Sequence, residues 1–293
     1  MKYAWIETQG DSYPVTVMCD VLGVSTSGYY AWRRRKPSRQ QRRRRRIAAA
    51  AERSHRASGG IYGYRKVYED LQEEEIACCL ETVRRVLRAK GLFSRTKKKF
   101  VVTTDSAHDM PVAGNLLDRN FTATGPNQKW AADITYLPTA EGWLYLAVVM
   151  DLFSRRIVGW SMSPSLRTPL VLDALEMALD HRLPEPGLLH HSDRGSQYAS
   201  DAFGELLDRH RVVCSMSRKG NCWDNAPVES FFGKLKTEWV HGKHYSTREE
   251  AKLDVFKYLE LFYNRKRRHA ALGYQSPAAY EEQHLQSMNP QAA

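Results

Sequence analysis

Asp133, Asp193 and Glu229 are acids at positions where the surrounding sequence is uncomfortable for a charge. Asp133 interrupts the apolar run KWAADITYL, Asp193 ends LLHHSD ahead of a glycine-bearing loop, and Glu229 falls in the first turn expected of a helix after DNAPV. Carboxylates gathered in one place repel one another unless a cation neutralises them. Mg²⁺ suits such a set, being a hard ion that prefers oxygen ligands and keeps positions for phosphate and water. Two such ions about 4 Å apart clamp an in-line phosphoryl displacement. In that arrangement Asp133 would bridge both ions, with Asp193 and Glu229 each completing one shell. Taken singly, each acid has a plainer use: a strand-end acceptor, a turn former, a first-turn helix acid favoured by the macrodipole. Residue type alone leaves both readings open.

The elements that would position these acids are legible from residue 128 onward. Strands are expected at KWAADITYL, WLYLAVVMDLFS and RIVGWSMS, then a helix TPLVLDALEMALDH, a strand GLLHHSD, a helix SDAFGELLDRH, a strand VVCSMS and a helix from Pro227. Three consecutive strands followed by alternating helices and strands predict an α/β fold, a mixed five-stranded sheet with helices in ribonuclease-H-like order. The ends of adjacent strands in such a sheet, with a nearby helix, are where a site assembles.

Ahead of this domain the sequence changes character. The net charge of +11 lies wholly in residues 1–120, with 24 Lys+Arg against 13 Asp+Glu, whereas residues 121–293 balance at 20 against 20. The peak runs from Arg33 to Arg46, where neutralising phosphates would supply sequence-independent affinity for nucleic acid, although a solvated basic linker has the same composition. Val15 to Arg35 reads as helix, Gly23-centred turn and second helix capped by Ser25, a helix-turn-helix grammar. Helical patterns follow at Arg46–Ala57, GYRKVYEDLQEE and LETVRRVLRAKGL, the last stopped by Gly91. The expected division is therefore 1–44, a helix-turn-helix and basic segment; 45–100, a second helical module; 101–127, a linker; 128–240, the catalytic core; and 241–293, a C-terminal helical extension. These small all-α modules supply the expected DNA contacts: Arg33, Arg34, Arg35, Arg43, Arg44 and Arg45, then Tyr64, Arg65, Arg84 and Arg85. Five cysteines without C-x-x-C spacing, no apolar leader and no long apolar run predict reduced thiols in a cytoplasmic, nucleoid-associated protein without a membrane span.

Asp193 lies 60 positions after Asp133, and 35 residues separate it from Glu229, which resembles the D, D-35-E spacing of the retroviral-integrase superfamily. YGYRKV at 62–67, WAADITYL at 130–137, HSDRGSQYAS at 191–200, DNAPVESFFGKLKTE at 224–238 and YNRKRRHAALGYQSPAAY at 263–280 narrow the likeness. Together they resemble the second-reading-frame transposase of bacterial IS3-type insertion sequences over nearly the whole chain. The resemblance implies an integrase core of ribonuclease-H type, Mg²⁺-dependent nicking at the element's ends and joining of the 3′-hydroxyl to DNA, with Mn²⁺ expected to substitute. It carries Asp133, Asp193 and Glu229 over as catalytic and metal-binding residues and Lys236 as a basic partner. Lys236 lies seven positions after Glu229, two helical turns, so an unbroken helix puts both on one face. The His/Cys zinc module of retroviral integrases is missing, so no zinc is expected. The partners implied are terminal-repeat and target duplexes, further copies of the chain on DNA, and an upstream reading frame as partner or fusion. The competing functions are a ribonuclease-H-like nuclease that cuts without joining, and a non-enzymatic helix-turn-helix regulator.

Several residues carry plainer expectations. Asp151 is read as a structural acceptor beside Ser154 or Arg155. One of His190 and His191 is expected to face inward, leaving the other for substrate. Trp130, Trp160 and Trp223 are expected in the core, and the RKRRH cluster at Arg265–His269 reads equally as a DNA-facing or a solvated basic face.

Overall fold

Alternating side chains along three successive strands build the centre of the molecule. In the computed structural model, which describes residues 1–95, 113–218 and 222–288, β1 (Lys129–Thr139), β2 (Gly142–Asp151) and β3 (Ile157–Ser163) form an antiparallel meander. β4 (Leu189–Ser192) and β5 (Val213–Met216) add in parallel beyond β1, giving the order β3-β2-β1-β4-β5. Parallel neighbours require crossovers, which α7 (Pro169–Arg182) and α8 (Asp201–Arg209) supply. The expected mixed five-stranded sheet is thus observed.

Side chains separate by parity onto the two faces. Trp130, Ala132, Ala147 and Val149 pack on one face with residues of α7 and α8. Ala131, Leu137, Leu146 and Val148 enter the larger core on the other. That core also takes in α9 (Ala226–Lys234), which continues as a π-helical stretch Leu235–Val240, and α10 (Arg248–Phe256), which continues likewise through Lys257–Tyr263. α7 lies so close to β3 that a Cβ on Gly159 would come within 2.1 Å of the Ala174 carbonyl oxygen, so only glycine fits there. α11 (Pro277–Met288) is the last element among the described residues, its Glu281 carboxylate held by Ser154, Arg156 and Arg182.

Every regular element among the described residues ahead of β1 is a helix. α1 (Lys2–Thr8), which no sequence pattern announced because it buries only Ile6, shares a small core with Met18, Cys19 and Tyr29 of the helix-turn-helix. That motif consists of α2 (Val15–Val21), a turn at Gly23 with φ +60°, and α3 (Thr26–Arg34), whose Ser25 cap accepts from Gly28 N at 3.0 Å.

α4 (Arg39–Ala57) carries most of the arginine run as its own exposed first turns, with Ser38 and Gln41 forming a capping box. This stretch is therefore helix and not linker, and the 44/45 division falls inside it. α5 (Tyr64–Glu73) and α6 (Leu80–Ala89) complete the second module. Its Ile47, Val67, Leu71 and Val83 belong to the same core cluster as one face of the sheet. Of the expected linker 101–127, residues 101–112 lie outside the described residues, while within 113–127 Leu117 is buried in the larger core. Cys19, Cys78, Cys79 and Cys214 are free thiols, and no described helix is long and apolar enough to cross a membrane.

Candidate active site

The opening that exposes Asp133 comes from unequal strand lengths. β4 pairs with β1 only over Lys129–Ala131, so beyond Ala131 that side of β1 has no strand neighbour. Asp133 and Asp193 line a single cavity of about 500 Å³ there, Asp193 following directly on the last residue of β4. Each aspartate is fixed by local backbone. Ile134 N donates to Asp133 Oδ1 at 2.8 Å, and Gly195 N donates to Asp193 Oδ1 at 2.9 Å.

The seat of α9 brings Glu229 to this place. Ala132 lies just past the β1–β4 pairing, and its carbonyl accepts a hydrogen bond from Asn225 Nδ2 at 2.9 Å, which ties the start of α9 to β1. Asp224, fully buried, is clamped by Arg218 (Nε at 3.0 Å, backbone N at 2.9 Å), Arg119 Nε at 3.0 Å and Asn115 Nδ2 at 2.9 Å. The hydrogen-bonded Arg218 guanidinium, helped by Arg119, holds the Asp224 carboxyl well below the usual carboxylate range despite its burial. Sequence reasoning passed over Asp224 and Asn225; polar side chains directly before a helix with a first-turn proline were the signal available. α-Helical geometry stops at Lys234, so the two-turn spacing of Glu229 and Lys236 is not that of an unbroken α-helix.

The electrostatics link the four candidate side chains. Burial pushes the Asp133 carboxyl well above the usual carboxylate range, Asp193 and Glu229 push it further by repulsion, and the Ile134 N–H and Lys236 pull it back. Burial lowers Lys236, with Asp133 opposing, and its Nζ stands 4.8 Å from the Tyr136 ring centroid. Tyr198, buried with no hydrogen-bond partner for its hydroxyl among the described residues, is raised by burial and by Asp133 and Asp193. Glu229 is exposed on α9 and does not line the cavity. Among the described residues no three His, Cys, Asp or Glu side chains converge on a metal-sized point as they stand. The three carboxylates therefore share a field without yet sharing a coordination sphere.

None of the DNA contacts expected on the helical modules lines this cavity. Arg33, Arg34 and Arg35 are exposed at the end of α3, where Arg33 meets Glu7 at 3.3 Å. Arg43, Arg44 and Arg45 are exposed on α4, with Arg43 also donating to the Ala77 carbonyl at 3.0 Å. The guanidinium carbons of Arg65 and Arg84 stand 5.6 and 5.9 Å from the Tyr64 ring centroid, and Arg84 and Arg85 both pair with Glu81.

Four expectations require correction. His190 and His191 are both fully buried, because β4 is an interior strand covered on both faces; His191 bonds Ser215 Oγ at 2.9 Å and Ser217 Oγ at 3.1 Å, so neither reaches substrate. Asp151 is structural as expected, but accepts from Asn127 N, Phe153 N and Arg182. Trp223 is 67% exposed, whereas Trp130 is buried and Trp160 packs against the larger core. Within RKRRH, Arg267 is buried against Glu238, Arg268 bonds Asp70 Oδ1 at 2.6 Å and pairs with Glu73, and His269 is buried. The centre of that cluster binds the protein itself.

Residues 123–222 and 229–285 match the integrase core domain, and residues 41–100 match an HTH-like domain. The chain is 44% identical over 287 residues to the transposase InsF for insertion sequence IS3A of Escherichia coli (strain K12), covering 97% of this chain and 100% of that protein. It is 43% identical over 269 residues to an uncharacterized 31 kDa protein of insertion element IS600 from Shigella sonnei, covering 92% of this chain and 99% of the other. Among solved structures, the HTLV-2 integrase catalytic core domain in complex with magnesium aligns over 55% of this chain and 99% of that one, at 15% identity and a TM-score of 0.41. A simian T-cell lymphotropic virus intasome in complex with PP2A regulatory subunit B56 gamma aligns over 79% and 74%, at 15% identity and a TM-score of 0.46. With two fifths of its residues shared along essentially its full length, the chain belongs to the IS3 family of insertion-sequence transposases, which carry an integrase core.

Proposed function

We propose that this transposase nicks DNA at the ends of its insertion sequence and joins the freed 3′-hydroxyl to a second DNA, using Mg²⁺ held by Asp133, Asp193 and Glu229. The observation that carries the reading is the crowding of charge at the open side of β1, where Asp133 feels both other carboxylates while lining a cavity with Asp193. A divalent cation would relieve that repulsion, and all three side chains are hard oxygen donors of the kind Mg²⁺ and Mn²⁺ take. When bound, the metal supplies Lewis acidity and neutralises charge at the reacting phosphoryl oxygens.

The chain's own residues do the rest. The Ile134 and Gly195 amides hold the two aspartates in fixed orientations. Asn225 keeps the start of α9 against β1, so that Glu229 stays within range of Asp133. Lys236 brings a positive charge to the same place and attracts a backbone phosphate. The arginines of α3 and α4 hold the duplex by its phosphates, independently of sequence.

Asp133→Asn, Asp193→Asn and Glu229→Gln each test this. Metal-dependent cutting and joining of a duplex carrying the element's terminal repeats should fall on the order of a thousandfold or more. Binding to the same duplex should change little, because it rests on the arginines. Near-wild-type cutting by any one variant removes that residue from the set, and cutting by the wild type without a joined product reduces the activity to that of a nuclease.

A further inference from the structure

The cavity that holds Asp133 and Asp193 has a second wall of different chemistry, lined by Tyr136, Trp143, Tyr145 and Leu166. Tyr136 faces Tyr145, and Pro138 faces Trp143, across the β1–β2 hairpin. The Trp143 ring stands edge-on to Tyr136, 4.8 Å between centroids at 75°, and Trp143 remains 50% exposed. Gln197 Nε2 donates to the Leu166 carbonyl at 2.9 Å, tying the loop after Asp193 to this wall. A cross-strand aromatic pair stabilises a hairpin end by itself. Here, however, the pair borders a cavity that both aspartates also line, and Lys236 stands over the Tyr136 ring while interacting with the Asp133 carboxylate.

We propose that this aromatic wall receives one unpaired nucleobase of the DNA strand whose phosphate lies at the Asp133–Asp193 end, a reading that rests on the function proposed above. A nucleotide has the same two-part character as the cavity: a neutral, flat, stackable base and an anionic phosphate. Trp and Tyr faces take any base by stacking, and Lys236, its Nζ 4.8 Å from the Tyr136 ring centroid, supplies a positive charge beside them. About 500 Å³ accommodates one base with its sugar and leaves no room for a stacked duplex. A base inside a duplex also has both faces covered by its neighbours, so it must leave the stack to use this wall. Trp143, Tyr136 and Tyr145 thus become positioning residues that hold the strand next to the reacting phosphate.

The test uses the full chain with Ca²⁺ in place of Mg²⁺ and two probes: a duplex whose 3′ tail begins with an unpaired 5-iodouracil, and the same duplex fully paired. Irradiation should crosslink the tailed probe to Trp143, Tyr136 or Tyr145 and the paired probe much less. Trp143→Ala should weaken binding of the tailed probe about 5- to 150-fold, the worth of one stacked base, and leave binding of the paired probe unchanged. Trp143→Phe should retain most of the tailed-probe affinity. Because Trp143 is exposed, neither variant empties a core position. Crosslinks confined to the arginine segments, or an equal loss of affinity for both probes, would overturn the proposal. Both readouts record binding alone, so failure of the carboxylate variants to lose cutting would overturn the metal assignment and leave this result standing.

Discussion

Arginine side chains in this protein divide into two populations that look alike in sequence. Arg267 and Arg268 are turned inward onto Glu238 and Asp70, where a guanidinium retains its charge and satisfies largely buried carboxylates, and Arg268 also reaches the exposed Glu73. Arg34, Arg35, Arg44 and Arg45 remain in solvent, where their charge is available to phosphate. Replacing Arg44 and Arg45 together by alanine should therefore flatten the salt dependence of DNA binding, the slope of log K against log salt falling by about 0.9 for each phosphate that is no longer neutralised. An unchanged slope, measured by titration at several salt concentrations, would move the DNA off α4. The same replacement at Arg267 would read out first in folding.

Among the elements, α9 and its approach are the point where sequence, packing and chemistry meet. The carbonyl of Ala132 has no strand neighbour because β4 is short, and Asn225 takes the vacant hydrogen bond. Behind it, the buried Asp224 carboxylate gathers Asn115 and the half-exposed Arg119 and Arg218 around itself. Asn225→Ala should cost about 1–2 kcal/mol of stability by removing a buried hydrogen bond. It should also reduce cutting far more than DNA binding, because Glu229 is carried on the same helix. Denaturant melts with cutting and binding assays on that variant measure this; unchanged stability and cutting would mean that α9 is seated by its apolar face alone, through Val228, Phe231 and Phe232.

Taken as a whole, the molecule joins the second helical module to the sheet of the integrase core through a common core and a polar staple. Tyr62 donates its hydroxyl to the Lys266 carbonyl at 2.9 Å and accepts from Arg268 N at 3.0 Å, while the Arg268 side chain reaches Asp70 and the Tyr274 carbonyl. Arg268→Ala should loosen α5 ahead of the sheet, so amide hydrogen exchange should rise at 64–73 while β1 and β2 stay protected; a uniform rise across the chain would mean that the module and the sheet open as one unit. Acid should act at the same junction. His269 is buried among Arg267, Lys234, Lys66 and Arg155, and burial with their repulsion lowers it from 6.5 to about 2. A depressed pKa gives stability that is complete above the unfolded value and is lost as pH falls from about 6.5 toward the folded one, because only the unfolded chain takes the proton. Denaturant midpoints between pH 7 and 4 should therefore fall less steeply for His269→Gln than for the wild type, and equal slopes would exclude this histidine as a source of acid sensitivity.

Much of this was written locally in the chain. Short apolar runs and helical patterns announced the strands and most of the helices, Ser25 announced its cap, and five ordered motifs announced the family, because each of these depends on residues close together in sequence. Histidines 190 and 191 could not be sorted by alternation, since whether a strand has one covered face or two depends on its rank in the sheet. The basic character of RKRRH was equally uninformative, as its acidic partners Asp70, Glu73 and Glu238 lie 198, 195 and 29 positions away along the chain. The cavity and its aromatic wall depend on where β4 stops pairing with β1 and on where the Asp193 loop turns. The sequence by itself determined which elements form and which acids could meet; only the tertiary structure decided which charges face solvent and which are consumed inside, because burial and pairing are set by contacts between segments distant in the chain.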